Sequence, residues 1–409
     1  MTLLVRAGRL LDVVNGDLLV DQVIVVEGDR IEQVLPAAAV PPDRWAGTDV
    51  LDYSGGTVLP GLIDLHTHLV GPVEDGDPAS VFHRSGAVDA LIGVANARTT
   101  LRAGFTTVRD VGTFRAFVDV ALRNAIDTGV VEGPRMQCAG AYITCTDGGG
   151  SITGLAADIE LPAELRIGVA DTVDQVVAAA RRILAGGADL IKVIATGAVL
   201  APGTTPGAPE LSQEQIRAAV QVAADRGAFV AAHAHGAEGA KRAARAGVRS
   251  IEHGSLLDDE ALDLLGENDI WLVADVYNGD WIDEVGSRDG WPADTLTKNR
   301  DTTATQREVF TEALHRGIRI GFGTDAGVFP HGLNARQLSV MVGLGMSPTA
   351  AVRAATLSAA ECMGWAQRVG SVQPGRYADL VVIDGHDLAD LAGVSDPVAV
   401  LKGGRRAGG

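Results

Sequence analysis

The chain reads as an α/β protein: a (β/α)8 TIM barrel joined to a small β domain that both chain ends build together. Three observations predict this. From residue 58 onward, apolar strand-like runs alternate with Ala-rich helical stretches. The two ends hold only short strands and tight turns. Of the nine histidines, His66, His68, His233, His235, His253 and His331 sit at or just after the ends of apolar runs, while His83, His315 and His386 read as incidental.

At the N-terminal end, Asn15-Gly16 separates Leu10–Val14 from Leu18–Val20, a hairpin signal. Gln22–Val26 then turns at Glu27–Arg30 into Ile31–Val34. At the C-terminal end, Ala378–Asp384 and Val398–Leu401 are further strands. Neither end holds enough strands for its own core, so residues 1–57 and 366–409 are expected to combine into one β domain.

Residues 58–365 carry the barrel. The expected strands are Val58–Leu65, Thr106–Asp110, Arg135–Ala141, Asp189–Ala195, Phe229–His233, Arg249–His253, Ile270–Ala274 and Arg319–Thr324. The expected helices include Val88–Ala103, Val173–Ala185, Ser212–Arg226, Ala237–Ala246, Asp258–Leu265, Thr305–Arg316 and Asn334–Leu344. No GxGxxG follows the first strand, which argues against an open dinucleotide-binding sheet. Two connections, Thr144–Gly168 and Val276–Arg300, read as long loops able to cover a site, the second carrying Trp281 and Trp291.

The 409-residue length, 46% hydrophobic content, 51 glycines and 4% aromatics suit such a domain. A formal charge of −18 disfavours nucleic acid and anionic membranes as partners. Cys138, Cys145 and Cys362 lack paired spacing, so neither a disulfide framework nor a thiolate zinc site is expected. Met1–Arg6 does not open a signal sequence, and no apolar run reaches spanning length. The expectation is a cytoplasmic enzyme that acts on a small molecule and assembles as a homo-oligomer.

The chemistry lies at the strand ends. In Leu62–His68 an apolar run ends in His-x-His, and alternate strand residues share a face, so His66 and His68 can share one metal ion. The pair could equally be a satisfied polar edge. His233, His253 and Asp325 end later strands and converge on the same C-terminal face, where barrels keep their chemistry. Four imidazoles and a carboxylate exceed what one tetrahedral zinc needs, which points to two metals. Lys192 is one amine on the apolar strand Asp189–Ala195. It is either an ion-paired lysine or one kept neutral by burial, free to add carbon dioxide and become a bridging carbamate.

The segments Val58–His68, Leu190–Val193, His233–Gly236, Ser250–Gly254, Gly323–Gly327 and Gly370–Val381 resemble those of the amidohydrolase superfamily. They are most similar to its prolidase-like metal-dependent dipeptidases and N-acyl amino acid hydrolases, a branch related to ochratoxin-type amidases and imidazolonepropionase-like hydrolases. The resemblance spans essentially the whole chain. It implies that His66, His68 and Asp325 hold one zinc, His233 and His253 the other, and carbamylated Lys192 bridges them. It also implies hydrolysis of a dipeptide or N-acyl amino acid by a metal-bridging hydroxide, with Asp325 as proton shuttle. His235 shares a strand face with His233; the family pattern puts His233 on metal and His235 toward the substrate carbonyl. Tyr277 and His331 are candidate substrate contacts, and Arg109-Asp110 reads as a structural pair supporting the ligands.

The alternatives are a mononuclear deaminase or cyclic-amide or lactone hydrolase of the same superfamily, which Lys192 argues against, and a non-catalytic scaffold, which the full ligand set argues against. The chain departs from its branch in two places. Asp147–Ser151 lacks the histidine of a Gly-Gly-His segment, and Asn334–Leu338 lacks a glutamate that relatives often carry. Both departures bear on substrate, not on metals.

Overall fold

The computed structural model describes residues 2–71, 80–156, 158–385, 388 and 391–408. Both chain ends meet in one seven-stranded sheet. Its order is Arg405–Arg406, Ala399–Lys402, Leu380–Asp384, Asp49–Pro60, Thr2–Asp12, Asp17–Glu27, Arg30–Pro36. The Asn15-Gly16 hairpin forms as expected: Asp12 faces Asp17 and Gly16 takes φ +83°, which a side chain would resist. Asp49–Pro60 pairs in parallel with Thr2–Asp12 and antiparallel with Leu380–Asp384. Period-two alternation then splits the side chains. Val58, Leu380 and Val382 pack with Val5 and Ile24 on one face. Leu59, Val381 and Ile383 face the other way and join the main core.

After Gly61 the chain enters a second layer. Leu62–Thr67 pairs in parallel with Phe105–Asp110, which pairs with Arg135–Cys138. A further parallel sheet runs Trp271–Val273, Ser250–Leu256, Val230–Gly236, Ile191–Ile194, Tyr142–Ile143. The expected strand Arg135–Ala141 therefore ends at Cys138, and the chain re-enters as Tyr142–Ile143 in the other sheet. The expected strand Arg319–Thr324 makes only isolated bridges, Ile320 with Leu272 and Ala326 with Thr67. Its backbone still bonds to neighbours on both sides: Gly321 N–H to the Leu272 carbonyl at 2.9 Å, and Leu65 N–H to the Phe322 carbonyl at 2.9 Å.

Helices Gly86–Arg102, Val173–Ala185, Gln213–Ala224, Ala237–Ala246, Asp259–Glu267 and Arg336–Gly343 fall within a few residues of expectation. Their ends are chemically marked. Thr172 with Gln175 and Ser212 with Gln215 form capping boxes, and Gly247 ends its helix in the left-handed conformation. Helices outside the expected ones include Val118–Asp127, Asn278–Asp289 and Pro348–Arg353, and Ala293–His315 starts well before Thr305. The stretch 276–300 is thus mostly helical, not a loop. The first half of helix Ala293–His315 has a polar buried side, with Thr295, Asn299, Thr302 and Gln306 facing inward, so that half carries no apolar period to read. Trp281 and Trp291 meet edge to face at 5.9 Å.

No helix among the described residues is long and apolar enough to cross a membrane. All three cysteines are free thiols. His83 and His315 are exposed, and His386 lies outside the described residues.

Candidate metal centre

Parallel strands running side by side bring their C-terminal ends to one face, and the predicted ligands meet there. His66 and His68 leave Leu62–Thr67 with the Nε2 of each close to Asp325 Oδ1, at 3.4 and 3.2 Å. His233, His235 and His253 stand together on the adjacent strands, their ring centroids 4.5–4.7 Å apart. The two clusters touch, since the His66 and His253 rings are 4.8 Å apart. Three overlapping sets of ligand atoms, each within 4.8 Å, could hold a metal: His66–His68–Asp325, His233–His235–His253, and His253–Asp275–Asp325.

Four of the five imidazoles are oriented by a bond to one ring nitrogen, the arrangement metal sites use. His66 Nδ1 lies 3.0 Å from Glu252, His68 Nδ1 2.8 Å from the Gly112 carbonyl, His233 Nε2 3.1 Å from the Gly197 carbonyl and His235 Nδ1 2.8 Å from Ser255. His253 Nδ1 is 3.1 Å from Asp275, but misaligned, so it makes no hydrogen bond.

Burial pushes His66, His233 and His235 toward the neutral form that ligates, whereas at His68 the adjacent Asp325 outweighs burial and raises it. His66 and His235 are pushed down to about 3, first by desolvation and then by neighbouring positive charge. His233 is lowered for the same reason. Burial would raise Asp325, but His66 and His68 outweigh it and hold it ionised. Two of the groups sit in left-handed backbone, His253 at φ +68° and Asp325 at φ +61°. Such conformations persist in non-glycine residues where the surroundings impose them, commonly at functional sites. Gly323 must be glycine, because a Cβ there would lie 2.3 Å from Val273 and 3.0 Å from the His66 Cβ.

Lys192 is 2% exposed, and its Nζ has no hydrogen-bond partner among the described residues. Burial lowers it to about 8, against the pull of Glu252, and its charge bears on both His66 and His233. An orphaned amine among imidazoles fits a group that leaves the ammonium form.

Supporting residues complete the picture. Glu252 accepts from Arg109 at 2.7 Å as well as meeting His66. Arg109 also donates to the Leu65 carbonyl, while Asp110 accepts from the Leu69 and Gly112 N–H groups. Arg109 and Asp110 therefore both brace the ligand strands, though not by pairing with each other. Asp64 accepts from Thr324 and Asn334, which ties the first strand to the segment bearing Asp325.

Two expected substrate contacts lie elsewhere. The His331 ring sits between Thr100 Oγ1 and the His68 carbonyl, 3.2 Å from each, so it braces His68 from behind. The Tyr277 hydroxyl accepts from Arg336 at 3.3 Å, and neither residue is among those lining the cavity. Sequence reasoning passed over Asp275, which closes an apolar strand as Asp325 does and offers a ligand oxygen. Asn278 donates to both Asp275 and Asp325, at 3.1 and 3.2 Å.

The cluster floors a cavity of about 250 Å3. Part of its lining is apolar, where Leu200, Ile282 and Val328 pack together, and the lining also carries Arg84, Arg115 and Phe114.

A sequence profile of the amidohydrolase family matches residues 57–407. A Xaa-Pro dipeptidase solved with methionine bound in its active site superposes with TM-score 0.93, is 34% identical and covers 100% of both chains. A prolidase complexed with N-methylphosphonate-L-proline superposes at 0.89, with 30% identity over 99% of each chain. The ochratoxinase of Aspergillus niger is 29% identical over 96% of this chain and 84% of its own. The chain belongs to the amidohydrolase family. It is a hydrolase of TIM-barrel-type α/β fold that acts on amides, in a family typically dependent on metal.

Proposed function

We propose that this amidohydrolase cleaves the amide bond of a dipeptide or N-acyl amino acid with two divalent metal ions, zinc by expectation. His66, His68 and Asp325 would hold one, His233 and His253 the other, and a carbamate on Lys192 would bridge them. The observation that carries this reading is the Lys192 amine, buried without a partner amid two histidine clusters. As an ammonium it is a buried charge without a hydrogen bond; as a carbamate it supplies the bridging anion that four imidazoles lack.

Bound there, divalent ions make water acidic enough to ionise near neutral pH and polarise the scissile carbonyl. Asp325, ionised and steadied by Asn278 at 3.2 Å, takes the proton from the attacking water and passes it to the departing amine. His235, fixed through Ser255, directs its Nε2 to the substrate carbonyl. A second role for His235, as ligand in place of His233, has support in its membership of the same ligand set. The apolar lining receives the hydrophobic part of the substrate and excludes water. The methionine bound in the dipeptidase relative supports an amino acid with an apolar side chain on one side of the bond.

The architecture of the proposal is a closed (β/α)8 barrel with residues 1–57 and 366–409 as a composite β domain. Its support is the hydrogen bonding of segment 319–326 to strands on both sides.

The test is a screen of dipeptides and N-acyl amino acids with zinc-loaded protein, together with a metal count. Amide hydrolysis abolished by chelation, with close to two metals per chain, is expected. One metal and turnover only of deaminase or lactone substrates would overturn the reading.

A further inference from the structure

With Tyr277 and His331 outside the cavity lining, the substrate carboxylate lacks an anchor, and two arginines of that lining supply a candidate. We propose that Arg84 and Arg115 form the site that takes the free carboxylate of the substrate's leaving amino acid. The proposal builds on the amidase reading above and names the end of the substrate that the two arginines hold.

Arg84 and Arg115 are the only cations lining the cavity outside the histidine–Lys192 cluster, among the described residues. They come from different loops, Arg84 from just before helix Gly86–Arg102 and Arg115 from the segment after Phe105–Asp110. One buried carboxylate holds both: Asp89 Oδ1 accepts from Arg84 Nε at 2.9 Å, and Asp89 Oδ2 lies 3.7 Å from Arg115 Nε. Asp89 is the shared buried counter-ion and the exposed Glu164 is a second one for Arg115, so the charges balance in number and the open hydrogen-bonding capacity lies on Arg84. Arg115 is further fixed by donating to the Val81 and Arg84 carbonyls at 3.4 and 3.1 Å, and its outer NH1 reaches Glu164 at 3.5 Å. The two terminal nitrogens of Arg84 have no partner among the described residues. They form a free planar fork, the geometry that a carboxylate matches.

The placement is built, not incidental. Gly86 has no side chain because a Cβ there would lie 2.8 Å from the Arg115 Cδ. The arginine therefore lies across the start of a 17-residue helix whose N-terminal dipole contributes positive potential. The same loop that carries Arg115 offers the Gly112 carbonyl to His68. Arg115 follows Gly112 by three positions, so their Cα atoms are at most about 11 Å apart. Arg115 and the carbonyl that orients His68 are thus tied to one short segment, and arginines, metal cluster and apolar residues line one cavity. A substrate would lie with its apolar acyl part at Leu200 and Ile282 and its carboxylate at Arg84.

The experiment titrates L-methionine and L-methioninamide, which differ in the carboxylate, into metal-loaded wild-type protein and into R84Q. Circular dichroism and a metal count establish that the variant is folded and loaded. Wild type is expected to bind the acid about tenfold or more tightly than the amide, the size of a charge-assisted hydrogen bond. In R84Q that preference should fall close to one, and R84K should restore part of it. Equal binding of acid and amide by wild type, or a preference that survives in R84Q, would overturn the anchor. N-acetyl-L-methionine hydrolysis is followed with the same wild-type preparation. Turnover without carboxylate preference sinks the anchor and leaves the amidase reading; carboxylate preference without turnover of any amide does the reverse.

Discussion

The floor of the cavity and its walls were built by different means, and they differ in how they could be read. The floor is a set of side chains at the ends of parallel strands. Register and period two decide where His66, His68, Lys192, His233 and His253 point, and both are local properties of the chain. The walls come from loops and helices whose positions depend on packing between distant segments. Arg84, Arg115, Leu200 and Ile282 meet there without any shared local pattern. Ligand chemistry is thus inscribed in strand ends, whereas substrate recognition depends on tertiary arrangement.

Substitutions on the floor should have large effects on turnover. Asp325→Asn keeps shape and removes basicity, so kcat should fall by about 10²–10⁴, with most metal retained on the histidines. Steady-state kinetics with a metal assay checks this; turnover within a few-fold of wild type would place the proton shuttle elsewhere.

Below the floor the effect should appear in stability. Glu252 is fully buried between Arg109 and His66, and these partners keep it ionised although burial alone would raise it. Glu252→Ala strands the Arg109 guanidinium in the interior, at a cost of about 3–5 kcal/mol. Urea denaturation of the metal-free protein measures it. A loss under about 1 kcal/mol, typical of an exposed pair, would mean that the pair is not the brace described here.

A graded effect should follow pH. Burial brings Lys192 down to about 8 from the ordinary 10.5. At pH 7 about a tenth of it is then neutral, where an exposed lysine would be neutral at well under a thousandth. Only the neutral amine adds carbon dioxide, so reactivation of apo-protein at a constant concentration of dissolved carbon dioxide should rise about tenfold per pH unit up to pH 8 and then level off. For folding, the sign is the same. Between pH 8 and 10.5 the unfolded chain binds a proton there that the folded one does not, so stability rises with pH through that window, and the full penalty is felt below it. Reactivation that keeps rising steeply to pH 10 would indicate an unshifted lysine.

The smallest effect is expected where the sequence misled. Tyr277→Phe removes a hydroxyl that meets Arg336 outside the cavity, so KM should stay within about twofold, as for surface changes. A tenfold rise would return Tyr277 to the substrate.

Much of the strand and helix order was legible because apolar period and capping residues such as Thr172 and Ser212 are local signals. The segment before Asp325 was read as a regular strand, but Asp325 takes left-handed backbone and the pairing survives only as isolated bridges. Helix Ala293–His315 was cut short because Thr295, Asn299, Thr302 and Gln306 put polarity on its buried face. Asp275 and Glu252 were legible in principle: an acid within or closing an apolar strand must find a partner, as Lys192 must. Arg84 carried no such mark, standing between the short turn Ser80–His83 and helix Gly86–Arg102 with no apolar period around it.

The central claim is that Lys192 becomes an anion that joins the two histidine clusters. Labelled bicarbonate, 13C NMR and a metal count on the same zinc-loaded sample test it directly. The account predicts a carbamate carbon signal that Lys192→Ala abolishes, with close to two metals per wild-type chain and far fewer in the variant. Two metals bound at full activity with no carbamate signal, and Lys192 still an unmodified amine, would contradict it.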